Sequence, residues 1–373
     1  MSVVRRQATL LTHHIHELPI LVLMPHSRCN CRCVMCDIWK ANHEKRELSE
    51  EEIALHIGAF KKLGVRHVAL SGGEALLHSN LWRLCAALRT IQVHISLLST
   101  GLTLEAHAEA VVGHCDEVIV SLDGPSELHN QIRNIPTAYD KLKEGVAALK
   151  RIKPSLRITG RSVLQRMNFK AFTATVETAR VLGLDQISFL GADVSSSAFN
   201  RPDPWAAEKA AGIALSAEES HELEMILRDS FVSHRTSYEA GFIAETPQKM
   251  LLIVQHYRAL LGLGPFPKRK CNAPWVSAVI ESNGDVMPCF FHPPYGNIHR
   301  GDFGQIVNSA TAKQFRRTLV VETNKICQRC VCSLHLGPTQ AVWSRRGNCY
   351  RLPKLAFVEF HAIPIRHPAL FWQ

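Results

Sequence analysis

Three cysteines near the start of the chain have a spacing that suits an iron–sulfur cluster. Cys29, Cys33 and Cys36 are separated by three and then two residues, directly after an apolar run from Leu18 to Met24. Cysteine thiolates are the usual ligands of such clusters, so one loop can hold three irons of a [4Fe–4S] cube. The fourth iron then has no protein ligand, and an open position distinguishes a reactive metal centre from a closed structural one. A loop that follows a strand is also where α/β barrels place their catalytic groups.

A second group of cysteines lies far along the chain. Its four members are Cys271, Cys289, Cys327 and Cys330. Taken alone, two separated pairs suit a zinc ribbon as well as an iron–sulfur cluster. Cys332 and Cys349 are spare, and either is able to substitute as a ligand. Cys31, inside the first loop, is expected to be a small buried side chain.

Composition indicates a globular protein in a reducing compartment. The chain has 373 residues, 46% of them hydrophobic and 20% charged, which is enough for one large α/β domain and a smaller module. We find no apolar run of about 18 residues and no signal peptide, and therefore expect a cytoplasmic location without a membrane span. Clustered cysteines in such a chain indicate metal ligation. The net charge of +10 is spread along the sequence, so a solvated basic surface is favoured over a polyanion site.

The first half of the chain alternates between strand and helix patterns. Six apolar, β-branched runs predict strands at 20–24, 67–71, 94–98, 118–122, 157–164 and 186–190. Between them lie stretches of helical period, one of which opens with the capping box Ser49-x-x-Glu52. This order predicts a parallel sheet that is buried on both faces. The pattern allows either an incomplete barrel or a flat doubly wound sheet.

After residue 191 the alternation ends. Two helices are predicted, one from the capping box at Ser216 and one from Thr246 to about Leu261, and Asn283-Gly284 predicts a type I′ hairpin turn after a strand-like run at 275–280. The predicted divisions are an N-terminal arm (1–17), a barrel (18–192), a helical bridge (193–270), a cluster-binding domain (271–335) and a C-terminal tail (336–373). The arm contains His13, His14 and His16, which we interpret as polar residues and not as a metal site.

The cysteine loop, together with Ser71-Gly72-Gly73-Glu74, resembles the radical S-adenosylmethionine (radical SAM) superfamily. Cys271, twelve residues, Gly284, four residues and Cys289, with the later Cys327-x-x-Cys330, resemble the twitch or SPASM-type extension of one subgroup. The resemblance implies a partial (β/α)6 barrel with a smaller α+β domain. It also implies a [4Fe–4S] cluster that binds SAM and an auxiliary iron–sulfur cluster, which is favoured over zinc. Because four cysteines make one complete ligand set, we expect the twitch form with one auxiliary cluster and not the longer form with two.

The same resemblance assigns roles to individual residues. Gly73 and Glu74 are expected to contact the SAM amine. Ser121 is expected to meet the SAM carboxylate or ribose, and Asp123, at the same strand end, to belong to the cofactor-binding site. Leu190 is expected to pack on adenine, and Met35 to contact SAM through its backbone. Thr100 is expected to line the substrate or SAM pocket. Arg133 and Arg161 are able to grip a carboxylate, with surface ion pairs as the alternative.

These observations predict an enzyme that cleaves SAM to a 5′-deoxyadenosyl radical and abstracts hydrogen from a substrate. The expected partners are a small molecule or peptide and an external electron donor of the flavodoxin or ferredoxin kind. The barrel begins near residue 18, so we expect no peptide-recognition domain before it. The alternative is a non-catalytic iron–sulfur or zinc protein that binds nucleic acid through a basic surface.

Overall fold

The computed structural model describes residues 2–201 and 203–340. In this part of the chain the strands are β1 (Ile20–Leu23), β2 (His67–Leu70), β3 (His94–Ser99), β4 (Glu117–Ser121), β5 (Arg157–Leu164), β6 (Gln186–Gly191), β7 (Ser277–Ile280), β8 (Asp285–Met287) and β9 (Gly296–Asn297). The helices of the first half are α1 (Ser2–Thr12), α2 (Glu50–Lys62), α3 (Leu81–Arg89), α4 (Ala108–His114), α5 (Ser126–Arg133), α6 (Ala138–Ile152) and α7 (Phe172–Val181). The later helices are α8 (Ala207–Ile213), α9 (Ala217–Ser233), α10 (Arg235–Glu239), α11 (Pro247–Leu260), α12 (Ala273–Val276), α13 (Phe303–Val307), α14 (Ala310–Thr318) and α15 (Lys325–Arg329). Short 3-10 turns lie at Ile38–Ala41, Ala75–Leu77, Phe169–Ala171 and Ile298–Arg300.

The strands form one sheet in the order β6-β5-β4-β3-β2-β1-β7-β8-β9. Strands β1 to β6 pair in parallel as consecutive neighbours, as expected when helices connect them. The fold is the expected partial barrel, an α/β architecture with six strands and helical crossovers. Because successive parallel strands point the same way, the residues that follow them meet at one edge of the sheet.

The hairpin of the second cysteine region extends the barrel sheet. Strand β7 pairs in parallel with β1, from Ile20 opposite Ser277 to Leu23 opposite Ile280. Strands β8 and β9 then add antiparallel pairs. The second cysteine region is therefore joined by backbone hydrogen bonds to β1, the strand that precedes the first cysteine loop.

The two faces of the sheet have separate cores. Leu21, Leu23 and the alternate residues of the later strands pack with the surrounding helices in the larger core. Ile20 and Val22 face the other way, where they pack with Val279 of β7 and with Trp275. This alternation follows from the two-residue period of a strand. It leaves the concave face for side chains that surround a site.

Two local predictions are wrong. The turn after β7 is not type I′, because φ is positive at Gly284 (84°) and not at Asn283. Gly284 N donates to Glu281 O, and Glu281 N donates to Asp285 O, which makes a three-residue loop with a bulge at glycine. The strand-like run at 275–280 begins as helix α12, and only its last four residues form β7.

The ends of the described chain are tied together. The buried Arg6 of α1 pairs with Glu17 and donates to the carbonyl oxygens of Gly337 and Gln340, each at 2.7 Å. His13 accepts a hydrogen bond from Trp275 Nε1 at 3.1 Å. The predicted capping boxes at Ser49 and Ser216 are both present. The predictions about Cys349 and most of the C-terminal tail lie outside the described residues. No helix in the described ranges combines the length and apolar character that crossing a membrane requires.

Candidate active site

The first cysteine loop leaves β1 at the carboxyl edge of the sheet and is held by hydrogen bonds to its backbone. The Asn42 side chain clamps Cys29, accepting from its N–H and donating to its carbonyl oxygen, each at 2.9 Å. Trp39 Nε1 donates to Cys36 O at 2.9 Å. Arg32 N and Val34 N donate to carbonyl oxygens at the end of α5. The loop is therefore fixed by residues that follow it closely in the chain and by the end of α5, which is distant in sequence.

The three loop thiols lie near one another, with Cys33 buried and Cys29 and Cys36 half-buried. Burial raises the pKa of Cys29 to about 12 and that of Cys36 to about 11, and the neighbouring thiolates add to both effects. A hydrogen bond from the Cys31 thiol lowers the pKa of Cys33 against the effect of burial, and the Arg133 guanidinium lowers it further. In the described residues no group of three or more His, Cys, Asp or Glu side chains is arranged around a single metal ion. Three cysteine thiols on one loop are the donor set that a [4Fe–4S] cluster uses, with one thiolate on each of three irons.

Gly73 and Glu74 follow β2 and lie against this loop. A Cβ atom at Gly73 would lie 2.1 Å from Arg28 O, so only glycine allows the two loops to approach so closely. Glu74 is fully buried. Its Oε2 accepts from Ser99 Oγ, Thr100 N and Thr100 Oγ1, while Oε1 accepts a single hydrogen bond from the described part of the chain, from Leu76 N at 3.2 Å. Burial raises the pKa of Glu74, and the donors from Thr100, Leu76 and Ser99 oppose that rise.

Thr100, after β3, links Glu74 to the cysteine loop. Its hydroxyl lies 2.6 Å from Glu74 Oε2 and 2.9 Å from the Asn30 side-chain amide. The Thr100 side chain is buried and its hydroxyl is used within the chain. Thr100 therefore holds Glu74 against the cysteine loop, and its place in the substrate or SAM pocket stays a prediction.

Asp123 and Arg133 form a buried ion pair beside the same loop. Arg133 Nη2 lies 2.5 Å from Asp123 Oδ2, and Arg133 Nη1 donates to Cys33 Sγ at 3.5 Å. Asp123 Oδ1 accepts from Val163 N at 3.1 Å. Arg133 is therefore not in the surface ion pair that was the alternative for it. Its charge faces a predicted cluster ligand.

The remaining predicted site residues, apart from Met35, lie on the strands of the barrel. Ser121, Arg161 and Leu190 are half-buried and lie on neighbouring strands, with Ser121 opposite Arg161 in the register. Within the described residues Arg161 makes no ion pair within 4.0 Å; its charge faces Cys332 and Glu245 at longer range. Met35 is half-buried in the cysteine loop and packs against the larger core.

The second cysteine group surrounds one cavity. Cys271, Cys289, Cys327 and Cys330 all line it, as sequence analysis predicts for one ligand set. Cys332 lines it too, and Cys330 Sγ contacts its carbonyl oxygen. Five thiols of the described residues therefore line this cavity, one more than the four that were predicted as ligands.

Sequence analysis missed a contact between the first cysteine loop and the segment after β6, which contains Trp205 and Lys209. Asp37, next to Cys36, is buried and accepts from Trp205 Nε1 at 2.6 Å and from Lys209 Nζ at 3.0 Å. Asn42 was missed as well, because nothing local marks an asparagine thirteen residues from the cysteine that it clamps.

Comparisons with known proteins agree with this geometry. A model of the radical SAM superfamily matches residues 23–179, and a model of the SPASM iron–sulfur cluster-binding domain matches residues 271–331. GTP 3′,8-cyclase of Psychromonas ingrahamii is 30% identical over 125 residues, which are 32% of this chain and 37% of the relative. AdoMet-dependent heme synthase of Oleidesulfovibrio alaskensis is 31% identical over 130 residues, 33% of this chain and 32% of the relative. The chain thus spans about a third of the length of these curated relatives.

Solved structures share the fold over most of the chain. SuiB of Streptococcus suis, bound to S-adenosylmethionine, superposes with a TM-score of 0.62 at 15% identity, over 87% of this chain and 75% of that one. The anSMEcpe structure with AdoMet and the Cp18Cys peptide gives a TM-score of 0.59 at 18% identity, over 84% of this chain and 88% of that one. The chain carries a radical SAM domain and a C-terminal SPASM domain, and these domains imply a [4Fe–4S] cluster, SAM and auxiliary iron–sulfur as cofactors.

Proposed function

We propose that the enzyme cleaves SAM reductively and uses the resulting 5′-deoxyadenosyl radical to abstract hydrogen from a small molecule or a peptide. The observation that carries the proposal is the cysteine loop at the carboxyl edge, where Cys29, Cys33 and Cys36 lie close to one another and Glu74 lies beside Cys29. In this proposal the three cysteines hold a [4Fe–4S] cluster, which supplies one electron for the cleavage.

The SAM-binding residues have different duties. Glu74 Oε1 accepts one hydrogen bond where Oε2 accepts three, so Oε1 is the atom available to the SAM ammonium. Gly73 lets the backbone of this strand end approach the cysteine loop. The half-buried Ser121 hydroxyl faces the carboxylate or ribose, and the half-buried Leu190 packs on adenine.

Asp123 and Met35 complete the proposed SAM site. Asp123, in the loop after β4, forms an ion pair with Arg133. Met35 lies within the cysteine loop, and we propose that its backbone contacts SAM. Because Asp123 is fully buried, its contribution is to orient neighbours of the cofactor.

The auxiliary centre is proposed at Cys271, Cys289, Cys327 and Cys330, where it accepts or delivers an electron during turnover. An external protein of the flavodoxin or ferredoxin kind supplies the electrons. We place the enzyme in the cytoplasm, where such thiols stay reduced. We also propose the predicted domain boundaries, with the barrel at 18–192, the helical bridge at 193–270 and the cluster-binding domain at 271–335.

A carboxylate-bearing substrate is favoured by Arg161. This half-buried guanidinium has no ion-pair partner within 4.0 Å among the described residues, and it lies between Ser121 and the second cysteine cavity. Relatives named for GTP and for heme support a small molecule. At the level of fold alone, SuiB bound to its precursor peptide SuiA supports a peptide.

Anaerobic reconstitution tests the proposal. With two four-iron cubes, the wild-type chain should hold about eight irons and release 5′-deoxyadenosine from SAM under dithionite. The triple variant Cys29→Ala, Cys33→Ala, Cys36→Ala should keep about four irons and release none. Cys85→Ala, which removes a buried thiol from the larger core, is the matched control and should behave as wild type. Intact SAM after reduction of the iron-loaded wild type would refute the proposal.

A further inference from the structure

The sulfur of Cys33 differs from those of the other two loop cysteines in what surrounds it. Among the described residues, Cys29 and Cys36 receive hydrogen bonds from backbone N–H groups alone, those of Cys31 and Ile38 respectively. Cys33 receives side-chain donors, the Arg133 guanidinium at 3.5 Å and the Cys31 thiol. One of the three proposed ligands thus carries a buried positive charge beside it.

The position of Arg133 is fixed by its own backbone as well as by its side chain. Arg133 O accepts from Arg32 N at 3.3 Å, and Ile132 O accepts from Val34 N at 3.1 Å, so the end of α5 is docked on either side of Cys33. On the far side of the guanidinium, Asp123 pairs with it at 2.5 Å. Both side chains of the pair are buried, with exposed fractions of 9% and 0%.

Charge placed here acts strongly on a cluster. Reduction adds one negative charge, and an N–H donor or a cation beside a ligand sulfur stabilises the more negative state. Burial weakens dielectric screening, so each charge acts more strongly than it does at the surface. Arg133 favours the reduced state, and Asp123 offsets part of that effect.

We propose that Arg133 is a positioning residue that sets the reduction potential of the cluster held by Cys29, Cys33 and Cys36, with Asp123 as its counterweight. The inference rests on the proposed function, because it needs that cluster to be present. It gives Arg133 a different role from gripping a substrate carboxylate. The chemical partner of the guanidinium is the thiolate sulfur of Cys33.

An EPR-monitored redox titration of the reconstituted full chain tests this. The signal of this cluster is identified as the part of the reduced spectrum that changes when SAM is added. Arg133→Gln should make reduction at least tenfold less favourable, a shift of about 59 mV to lower potential for one electron. Asp123→Asn should shift the potential in the opposite direction, because it removes the offsetting negative charge.

The double variant keeps the test valid if either single variant folds poorly. Arg133→Gln with Asp123→Asn leaves no unpaired buried charge, and its potential should lie between those of Arg133→Gln and the wild type. Arg161→Gln is the matched control, since its guanidinium faces Cys332 and should leave this potential unchanged. A potential that stays at the wild-type value in both Arg133 variants, or that Arg161→Gln moves equally, would overturn the inference. A wild-type chain without any SAM-responsive signal would instead refute the proposed function.

Discussion

The hydroxyl of Thr100 should decide how firmly Glu74 is held beside the cysteine loop. Thr100→Val removes one of the three donors to Glu74 Oε2 and leaves Ser99 Oγ and Thr100 N in place. It also removes the link from Glu74 to Asn30. Because valine keeps the branched shape, the main change is the loss of a hydrogen bond to a buried carboxylate.

The expected cost follows from the burial of that carboxylate. A hydrogen bond to a charged group contributes about 1.5–3 kcal/mol, and an unmet buried group carries its full desolvation cost. The variant should lower the free energy of unfolding by about that amount, which for a domain of roughly 150–250 residues lowers Tm by about 3–12 °C. The affinity for SAM should fall as well, by about tenfold for each 1.4 kcal/mol that is lost at Glu74 Oε1.

Two assays separate these effects. Urea unfolding of the chain before reconstitution measures stability, and calorimetric titration of the reconstituted enzyme measures SAM affinity. Thr100→Ser, which retains the hydroxyl, is the matched control and should restore most of both values. If Thr100→Val stays within about 0.5 kcal/mol of wild type in both assays, a range usual for surface substitutions, the network around Glu74 does not hold it.

Two further predictions concern packing and pH. Gly73→Ala would place its Cβ 2.1 Å from backbone Arg28 O, so we expect the loop to shift and the iron content to fall by about four per chain. Gly58→Ala is the control and should keep all its iron, because its Cβ meets nothing within 4 Å. Equal iron content in the two variants would contradict the close approach of the two loops. Burial raises the pKa of Glu245 from 4.5 to about 7, so the folded chain holds this proton to higher pH than the unfolded chain does. Stability should therefore fall by about 3 kcal/mol between pH 4.5 and 7; Glu245→Gln should flatten that fall in urea titrations at several pH values, and an unchanged slope would count against the buried acid.

Local patterns in the sequence determined the secondary-structure elements and the predicted cluster ligands. The period of the apolar residues placed six strands within one or two residues of their observed bounds, because alternation and burial are properties of short segments. The capping boxes at Ser49 and Ser216 were predictable for the same reason, since each joins residues three positions apart. The three-cysteine loop is local as well. The loop after β7 is the exception, because Asn-Gly suits more than one turn type and strand register chose between them.

Tertiary structure decided what surrounds the cysteines. Arg133 reaches Cys33 across 100 positions, and Asn42 and Thr100 reach the same loop from other elements. The pairing of β7 with β1, which joins the second cysteine region to the barrel, is equally non-local. A hydrogen bond or ion pair between distant residues leaves no periodic trace, because its geometry exists only after the strands have fixed the relative positions of their ends. The sequence therefore determined which residues are able to bind iron, and the fold determined the charges and donors that act on them.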